Sequence, residues 1–208
     1  MAWYDTFARV YDTSLEKHYA EQRRLAVLAL DLRPGSVVLD LPCGTGQSFD
    51  GLVDGVGASG RVVGVDLSAG MVREARRRIG RLKFTNVHVG EGDVHALDPA
   101  RIAAISGAPV VVDRLQVFLG MSVFPDHPRA FEQLWSLLAP GGRCVLVDVH
   151  AERLTFQGRM VNWLAQAEIR RRFWEPLGRV AEGFELRDLP SKPLHGGTVR
   201  LATGTKPR

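Results

Sequence analysis

The feature that most restricts how this chain can fold is the run Val38-Leu39-Asp40-Leu41-Pro42-Cys43-Gly44-Thr45-Gly46-Gln47. It starts as a buried strand and passes, with hardly any polar loop, into a turn holding Gly44 and Gly46. From Ser48 to Val56 apolar residues then recur at helical spacing. A strand, a glycine turn and a helix in so short a span oblige the helix to run back across the sheet, as a crossover fold requires. Without Cβ atoms, Gly44 and Gly46 let the backbone take positive φ and approach a ligand closely at the helix N-terminus.

The rest of the chain repeats this alternation. β-Branched runs at Val37 to Leu41, Arg61 to Asp66, Val87 to Gly90, Val110 to Val117 and Arg143 to Val149 predict five strands. Ser48 to Val56, Ala69 to Ile79 and Pro128 to Leu138 predict helices between them, the last ended by Pro140-Gly141-Gly142. The expected class is α/β, a doubly wound and mostly parallel sheet. Further on, a long helix over about Arg159 to Trp174 precedes strands at Phe184 to Leu189 and Thr198 to Gly204, an expected antiparallel edge hairpin. Residues 1–33, ahead of Ser36, read as an N-terminal helical cap whose aromatic residues Tyr4 and Tyr11 close over a ligand as a lid, and 34–208 as the core of a single domain 1–208.

Composition excludes several classes. With 45% hydrophobic and 24% charged residues, the chain is of ordinary globular type. No apolar run approaches the roughly 20 residues that cross a bilayer, and Met1 to Val10 lacks a signal-peptide pattern, so the expected setting is cytoplasmic. Cys43 and Cys144 stand far apart without CxxC spacing, which argues against a metal site or a disulfide framework. The net charge of +4 comes from arginines spread over helical faces, so no nucleic-acid partner is expected.

In an open parallel sheet, ligands bind outside the carboxyl ends of the strands where strand order reverses, and the first strand-to-helix turn lies there. Asp66 ends the second strand about 20 residues after Gly46, where a carboxylate can accept hydrogen bonds from two ribose hydroxyls. After the third strand, Gly90-Glu91-Gly92-Asp93-Val94 offers Asp93 to an adenine amino group and Val94 to the ring. A dinucleotide oxidoreductase uses the same turn and acid. Its fingerprint needs a small residue three positions after the second glycine, and here that residue is Phe49.

Val38 to Gly46, Gly64-Val65-Asp66-Leu67-Ser68 with Met71, Gly92-Asp93, and Leu138-Ala139-Pro140-Gly141-Gly142-Arg143 resemble, in this order, the motifs of class I S-adenosylmethionine-dependent methyltransferases. The flanks Trp3-Tyr4-Asp5, Tyr11-Asp12 and Gly120 to Asp126 are similar to the UbiE-like branch, the ubiquinone/menaquinone C-methyltransferase-like proteins. The resemblance implies a Rossmann-like seven-stranded sheet, S-adenosyl-L-methionine as cofactor, no metal, and a small-molecule or lipid-like acceptor. It implies a cofactor site lined by Asp40, Pro42, Cys43, Gly44, Gly46, Asp66, Leu67, Met71, Gly92, Asp93, Val94, Gln116 and Tyr11. A homodimer is compatible with it. One departure is Pro42, which stands where the family often has glycine and has no N–H to offer.

A sulfonium methyl is already activated by its charge, so the protein must chiefly hold an acceptor atom in line and exclude water. A hydroxyl or carbon acceptor also needs a base. His150 is the foremost candidate and Asp148 the second, with Gln116 to Met121 and His127 nearby at the ends of strands four and five. Trp163, Phe173 and Trp174 with Arg170-Arg171-Arg172 suggest an apolar substrate wall with a basic rim. Two other functions use such a fold: an NAD(P)-linked oxidoreductase and a non-catalytic cofactor-binding subunit.

Overall fold

A computed structural model of the protein describes residues 18–154, 156–192 and 195–208. The elements are α1 Ala20–Ala29, β1 Val37–Asp40, α2 Phe49–Val56, β2 Arg61–Asp66, α3 Ala69–Leu82, β3 Val87–Glu91, α4 Pro99–Ser106, β4 Val112–Phe118, α5 His127–Leu137, β5 Leu138–His150, α6 Phe156–Ala165, α7 Glu175–Val180, β6 Glu182–Asp188 and β7 Thr198–Thr205. The strands form one seven-stranded sheet in the order β3-β2-β1-β4-β5-β7-β6. β1 pairs in parallel with β2 on one side and β4 on the other, so Leu39 lies between Val63 and Leu115 and the strand order reverses at β1. β7 runs antiparallel to both β5 and β6, the expected edge pair.

Successive strand residues point to opposite faces, and the core divides accordingly. Leu39, Val63, Leu115, Leu146 and Ala202 face one apolar layer, roofed by Ile102 of α4, Phe131 and Leu134 of α5, and Leu177 of α7. Val38, Val62, Val145 and Leu201 face the other, covered by Ala26 of α1, Leu52 and Val56 of α2, and Ala75 of α3. The sheet is therefore buried on both sides, which is why its strands read as nearly continuous apolar runs. β6, on the outer edge, is exposed along most of its length and carries Glu182, Glu185, Arg187 and Asp188, charges that discourage edge pairing with another chain.

Three sequence expectations need correction. α4 was not expected between β3 and β4, yet its start is signalled locally: Asp98 accepts the Arg101 amide, Pro99 opens the helix, and Gly107 closes it at φ +78°. Pro140-Gly141-Gly142 does not separate α5 from the fifth strand, because β5 begins at Leu138 and this stretch belongs to it, with the Gly141 amide donating to the Lys206 carbonyl and the Lys206 amide to the Gly142 carbonyl. The long helix expected over Arg159 to Trp174 ends at Ala165, followed by Gln166 at φ +50°. Tertiary partners break it: the Glu168 amide donates to the Ser122 carbonyl, the Ala151 amide to the Ile169 carbonyl, and Ile169 and Phe173 are drawn into the core.

α1, the described part of the expected N-terminal cap, packs on the sheet as a layer helix. Arg114 donates to the Leu30 carbonyl and Arg143 to the Ala29 carbonyl. Tyr4, Tyr11 and the rest of the expected lid lie outside the described residues. Among the described residues no helix is long and apolar enough to cross a membrane.

Phe49 is the wedge of this arrangement. It is fully buried at the start of α2, and a Cβ on Gly46 or Gly64 would fall 2.4 Å or 3.0 Å from its ring. Replacing Phe49 with Ala should therefore cost about 3–5 kcal/mol of stability. Urea unfolding measures this, and an unchanged midpoint would show that the ring is not what seats α2 on the sheet.

Candidate functional site

The carboxyl ends of β1, β2 and β3 meet at one residue, Asp66. Asp66 Oδ2 accepts the Gly44 amide at 2.8 Å and its Oδ1 accepts the Ser68 amide at 2.9 Å. The Asp66 carbonyl accepts the Gly92 amide at 3.0 Å. The turns after all three strands thus hang on one residue. Burial raises the Asp66 carboxyl above its usual range, opposed by the amides of Ser68, Gly44 and Leu67. A carboxylate has about four acceptor positions, so beside these three amides Asp66 can still accept a ligand hydroxyl.

The glycine turn is built on left-handed backbone, with Gly44 at φ +54° and Gly46 at φ +82°. The two glycines serve different ends. Gly46 is needed because Phe49 lies directly beneath it, whereas nothing stands within 4 Å of where a Gly44 Cβ would project. Gly44 therefore leaves its space open to a ligand. Cys43 and Pro42 line the same turn: the Cys43 amide donates to the Val65 carbonyl, and the Leu41–Pro42 peptide is cis. Burial holds the Cys43 thiol well above its usual range, so it sits there as an uncharged apolar group.

Asp40 is the second carboxylate of the site and its partners are incomplete. Its Oδ1 accepts from Gln116 Nε2 at 2.9 Å, while Oδ2 is buried with no hydrogen-bond partner, as is Gln116 Oε1. Burial pushes Asp40 up to about 7; the Gln116 hydrogen bond and Arg23 oppose this, and Asp66 adds to it. Arg23 of α1 also donates to Gln47 in the glycine turn and stands 5.1 Å over the Phe118 ring. No spacing in the sequence marks Arg23, because Gln22-Arg23-Arg24 reads as a solvated helix face.

The remaining expected positions follow β2 and β3. Asp93 accepts the His95 amide and starts a short 3-10 turn over Val94–Ala96, with Val94 buried. Met71 donates its amide to Ser68 Oγ, the N-cap of α3, and Leu67 is exposed beside it. Asp40, Pro42, Cys43, Gly44, Gly46, Asp66, Leu67, Gly92, Asp93, Val94 and Gln116 therefore belong to β1, β2 and β4 or to the turns after β1 to β3, and Met71 to the first turn of α3. Tyr11 lies outside the described residues.

The expected bases stand on β5. Asp148 is buried and has partners on both oxygens: Ser122 donates both its amide and its hydroxyl, at 2.8 and 2.9 Å, and the Val149 amide donates as well. Burial raises it to about 6 against those hydrogen bonds and Arg171. His150 Nδ1 lies 3.1 Å from the Arg171 carbonyl, which makes Nδ1 the protonated nitrogen and leaves Nε2 as an acceptor. Its ring meets Trp174 edge-on at 4.8 Å, and burial lowers its pKa.

The expected apolar wall with a basic rim does not form. Phe173 is fully buried in the core and Trp163 is 75% exposed, so the two do not share a surface. Arg171 turns inward and donates to the Phe124 carbonyl at 2.6 Å, while Arg170 and Arg172 pair with Glu168 and Glu175. Core burial draws Phe173 in, and the loop carbonyls hold Arg171. His127 opens α5 near Arg171, Asp126 and Glu175, and burial lowers its pKa.

The family model described as a methyltransferase domain matches residues 32–181, which contain the glycine turn and both acids. The chain belongs to the methyltransferase domain family. It is 30% identical over 144 residues to a 2-phytyl-1,4-naphtoquinone methyltransferase of Thermosynechococcus vestitus, an alignment covering 69% of this chain and 60% of that protein. It is 38% identical over 127 residues to a 37.1 kDa transposon protein of Streptomyces fradiae, covering 61% of this chain and 34% of that one. These curated relatives are thus matched over only one to two thirds of their own length. The fold is similar to that of the geranyl diphosphate C-methyltransferase of Streptomyces coelicolor, solved with geranyl diphosphate and S-adenosyl-L-homocysteine, at TM-score 0.71, 16% identity, 90% of this chain and 79% of that one.

Asp40 makes stability pH-dependent with a definite sign. Its folded pKa of about 7 lies above the ordinary 3.8, so its contribution is complete below about pH 4 and is lost as pH rises through about 7. Thermal melting of the ligand-free protein should fall over that window, and Asp40→Asn should flatten the upper half. A variant whose melting keeps the full slope would show that this carboxyl is not held protonated.

Proposed function

We propose that this chain transfers a methyl group from S-adenosylmethionine to a small, apolar acceptor of quinol type. The observation that carries the reading is Asp40 Oδ2, a buried carboxylate oxygen without a partner, at the end of the strand that leads into the open turn at Gly44 and close enough to Asp66 for the two charges to interact. The cost of burying the charge keeps this carboxyl protonated up to about pH 7, and a cationic ligand group beside it favours the anion. The ligand that suits this arrangement carries a positive ammonium or sulfonium centre near Asp40 and a ribose near Asp66. Asp93 and Val94 suit an adenine at the end of β3. A pyrophosphate does not suit the turn, because Phe49 occupies the packing position that a dinucleotide site gives to a small residue.

In this reading S-adenosylmethionine supplies an electrophilic methyl on a sulfonium. The protein's residues do the positioning. Asp66 and the amides it holds fix the ribose end, Asp40 orients the charged end with Gln116 behind it, and the apolar strand ends keep water out. The quinol-type acceptor is supported by the name of the Thermosynechococcus relative. Asp148, with its hydrogen bonds spent on Ser122 and Val149, is assigned to holding the Gly120–Phe124 loop; His150, with Nε2 available, is assigned to the acceptor side. A cytoplasmic setting fits Cys43 and Cys144, both buried and unpaired.

Titration calorimetry with S-adenosylmethionine, S-adenosylhomocysteine and NAD tests the cofactor, and methyl transfer to 1,4-naphthoquinols with short 2-alkyl chains tests the acceptor. Both sulfur ligands should bind and NAD should not. Near pH 6.5 binding should release a proton from Asp40, seen as heat that varies with the buffer. Asp66→Ala should weaken both ligands by about 1.5–3 kcal/mol with the fold retained. Tight NAD binding, or unchanged affinity in the folded Asp66→Ala variant, overturns the reading.

A further inference from the structure

A second set of incomplete polar atoms lies outside the positions assigned so far, on the seam between the start of α1 and the connection from β6 to β7. His195 is fully buried. Its Nδ1 accepts the Lys192 amide at 3.0 Å, so in the neutral ring the proton sits on Nε2, and that Nε2 is buried without a partner. His18 Nε2 is also buried without a partner, and the two imidazoles meet edge-on with centroids 4.5 Å apart. Gln22 completes the set: its Nε2 donates to the Pro190 carbonyl, leaving Oε1 buried and unsatisfied. Each such orphan costs on the order of 1–3 kcal/mol, and three along one seam mark a place that something else completes.

The seam adjoins the acceptor side of the sheet. Tyr19 stacks on His195 at 4.6 Å and meets the ring of Phe118, the last residue of β4, edge-on at 6.2 Å. Phe118 in turn lies under Arg23, which reaches the glycine turn through Gln47. Burial and the His18 ring hold His195 below the usual imidazole range, against the pull of the His18 backbone, so it is a neutral donor. Neutral nitrogen and amide groups beside flat aromatic rings suit an uncharged hydroxyl on an aromatic ring; a phosphate or carboxylate calls for arginine or lysine in direct contact.

We propose that His18 and His195 form the acceptor-binding pair, gripping a ring hydroxyl of a hydroxy-aromatic acceptor and removing its proton. This rests on the reading of the chain as a methyltransferase. His195 Nε2–H donates to the hydroxyl oxygen. The O–H bond breaks, the proton passes to the Nε2 lone pair of His18, and the electron pair stays on the oxygen and delocalises into the ring, whose carbon becomes the nucleophile. In the His18 imidazole the resting proton is on Nδ1, and because His18 is only partly buried although Nε2 is covered, the imidazolium sheds its proton to water from Nδ1. Gln22 and Tyr19 act as positioning residues.

The test uses the full chain with 1-naphthol as probe and 1-methoxynaphthalene as its partner lacking a hydroxyl proton. With 15N-labelled imidazoles, the His18 and His195 ring nitrogens should shift with naphthol and not with the methoxy compound. His195→Leu should weaken naphthol about 10-fold, the size expected for one lost hydrogen bond, with S-adenosylhomocysteine affinity unchanged. His195→Gln, which restores a donor at the same reach, should recover most of it. In turnover of a short-chain 1,4-naphthoquinol, His18→Gln should lower kcat on the order of 100-fold with little change in KM. Equal shifts with both probes, or His195→Leu altering only the melting temperature, overturn the pair. Shifts are read with and without S-adenosylhomocysteine. A chain that takes naphthol but not this ligand refutes the cofactor reading and leaves the pair standing; one that takes the ligand but shows no naphthol-specific shift overturns the pair alone.

Discussion

The architecture around the site depends on the backbone amides drawn to Asp66. Amides after β1 and β2 donate to its side chain and the amide after β3 to its carbonyl, so three neighbouring strand ends share one anchor. Such an anchor works because a buried carboxylate is costly alone and is stabilised when amide donors converge on it. The same contacts fix the glycine turn in its left-handed form, and that form leaves open space at Gly44. Phe49 supports the turn from beneath, filling the volume that Gly46 and Gly64 leave.

Buried carboxylates at the strand ends share one chemistry but differ in what they can do. Asp148 accepts from Ser122 and Val149, so it ties a loop to β5. Asp66 is held by amides of the turns that follow β1 and β2, so its carboxylate stands within the site itself. Asp40 holds one partner and one bare oxygen, which makes it the group most responsive to a ligand's charge. The location of the partners separates Asp66 from Asp148, and the oxygen left without a partner separates Asp40 from both.

The far side of the sheet follows a different logic. β5 is hydrogen-bonded along its length to β7, from Arg143 opposite Thr205 to His150 opposite Thr198. The connection preceding β7 is thereby brought to the carboxyl end of β5, which seats His195 against α1. The segment after α6 is likewise held by carbonyls on other elements, with Arg171 gripping the Gly120–Phe124 loop and the Ile169 carbonyl taking the Ala151 amide.

The doubly wound sheet, the glycine turn and the acids that end β1 and β2 could be read from the order of residues alone, because a strand buried on both faces and a helix each impress a period on their own segment. The helix α4 was equally readable from Asp98, Pro99 and Gly107, since caps are local. What tertiary structure alone decided involves partners distant in sequence. Periodicity continues helix through 166–174, yet Ser122 and Ala151 bond that backbone and Ile169 and Phe173 enter the core. Arg23 looks like a surface charge until α1 lies across the sheet and brings it to Gln47 and Asp40. The same packing sets His18 against His195, residues at opposite ends of the chain, because their meeting depends on β7 pairing with β5 and on α1 packing over both, and neither contact leaves a mark in local sequence.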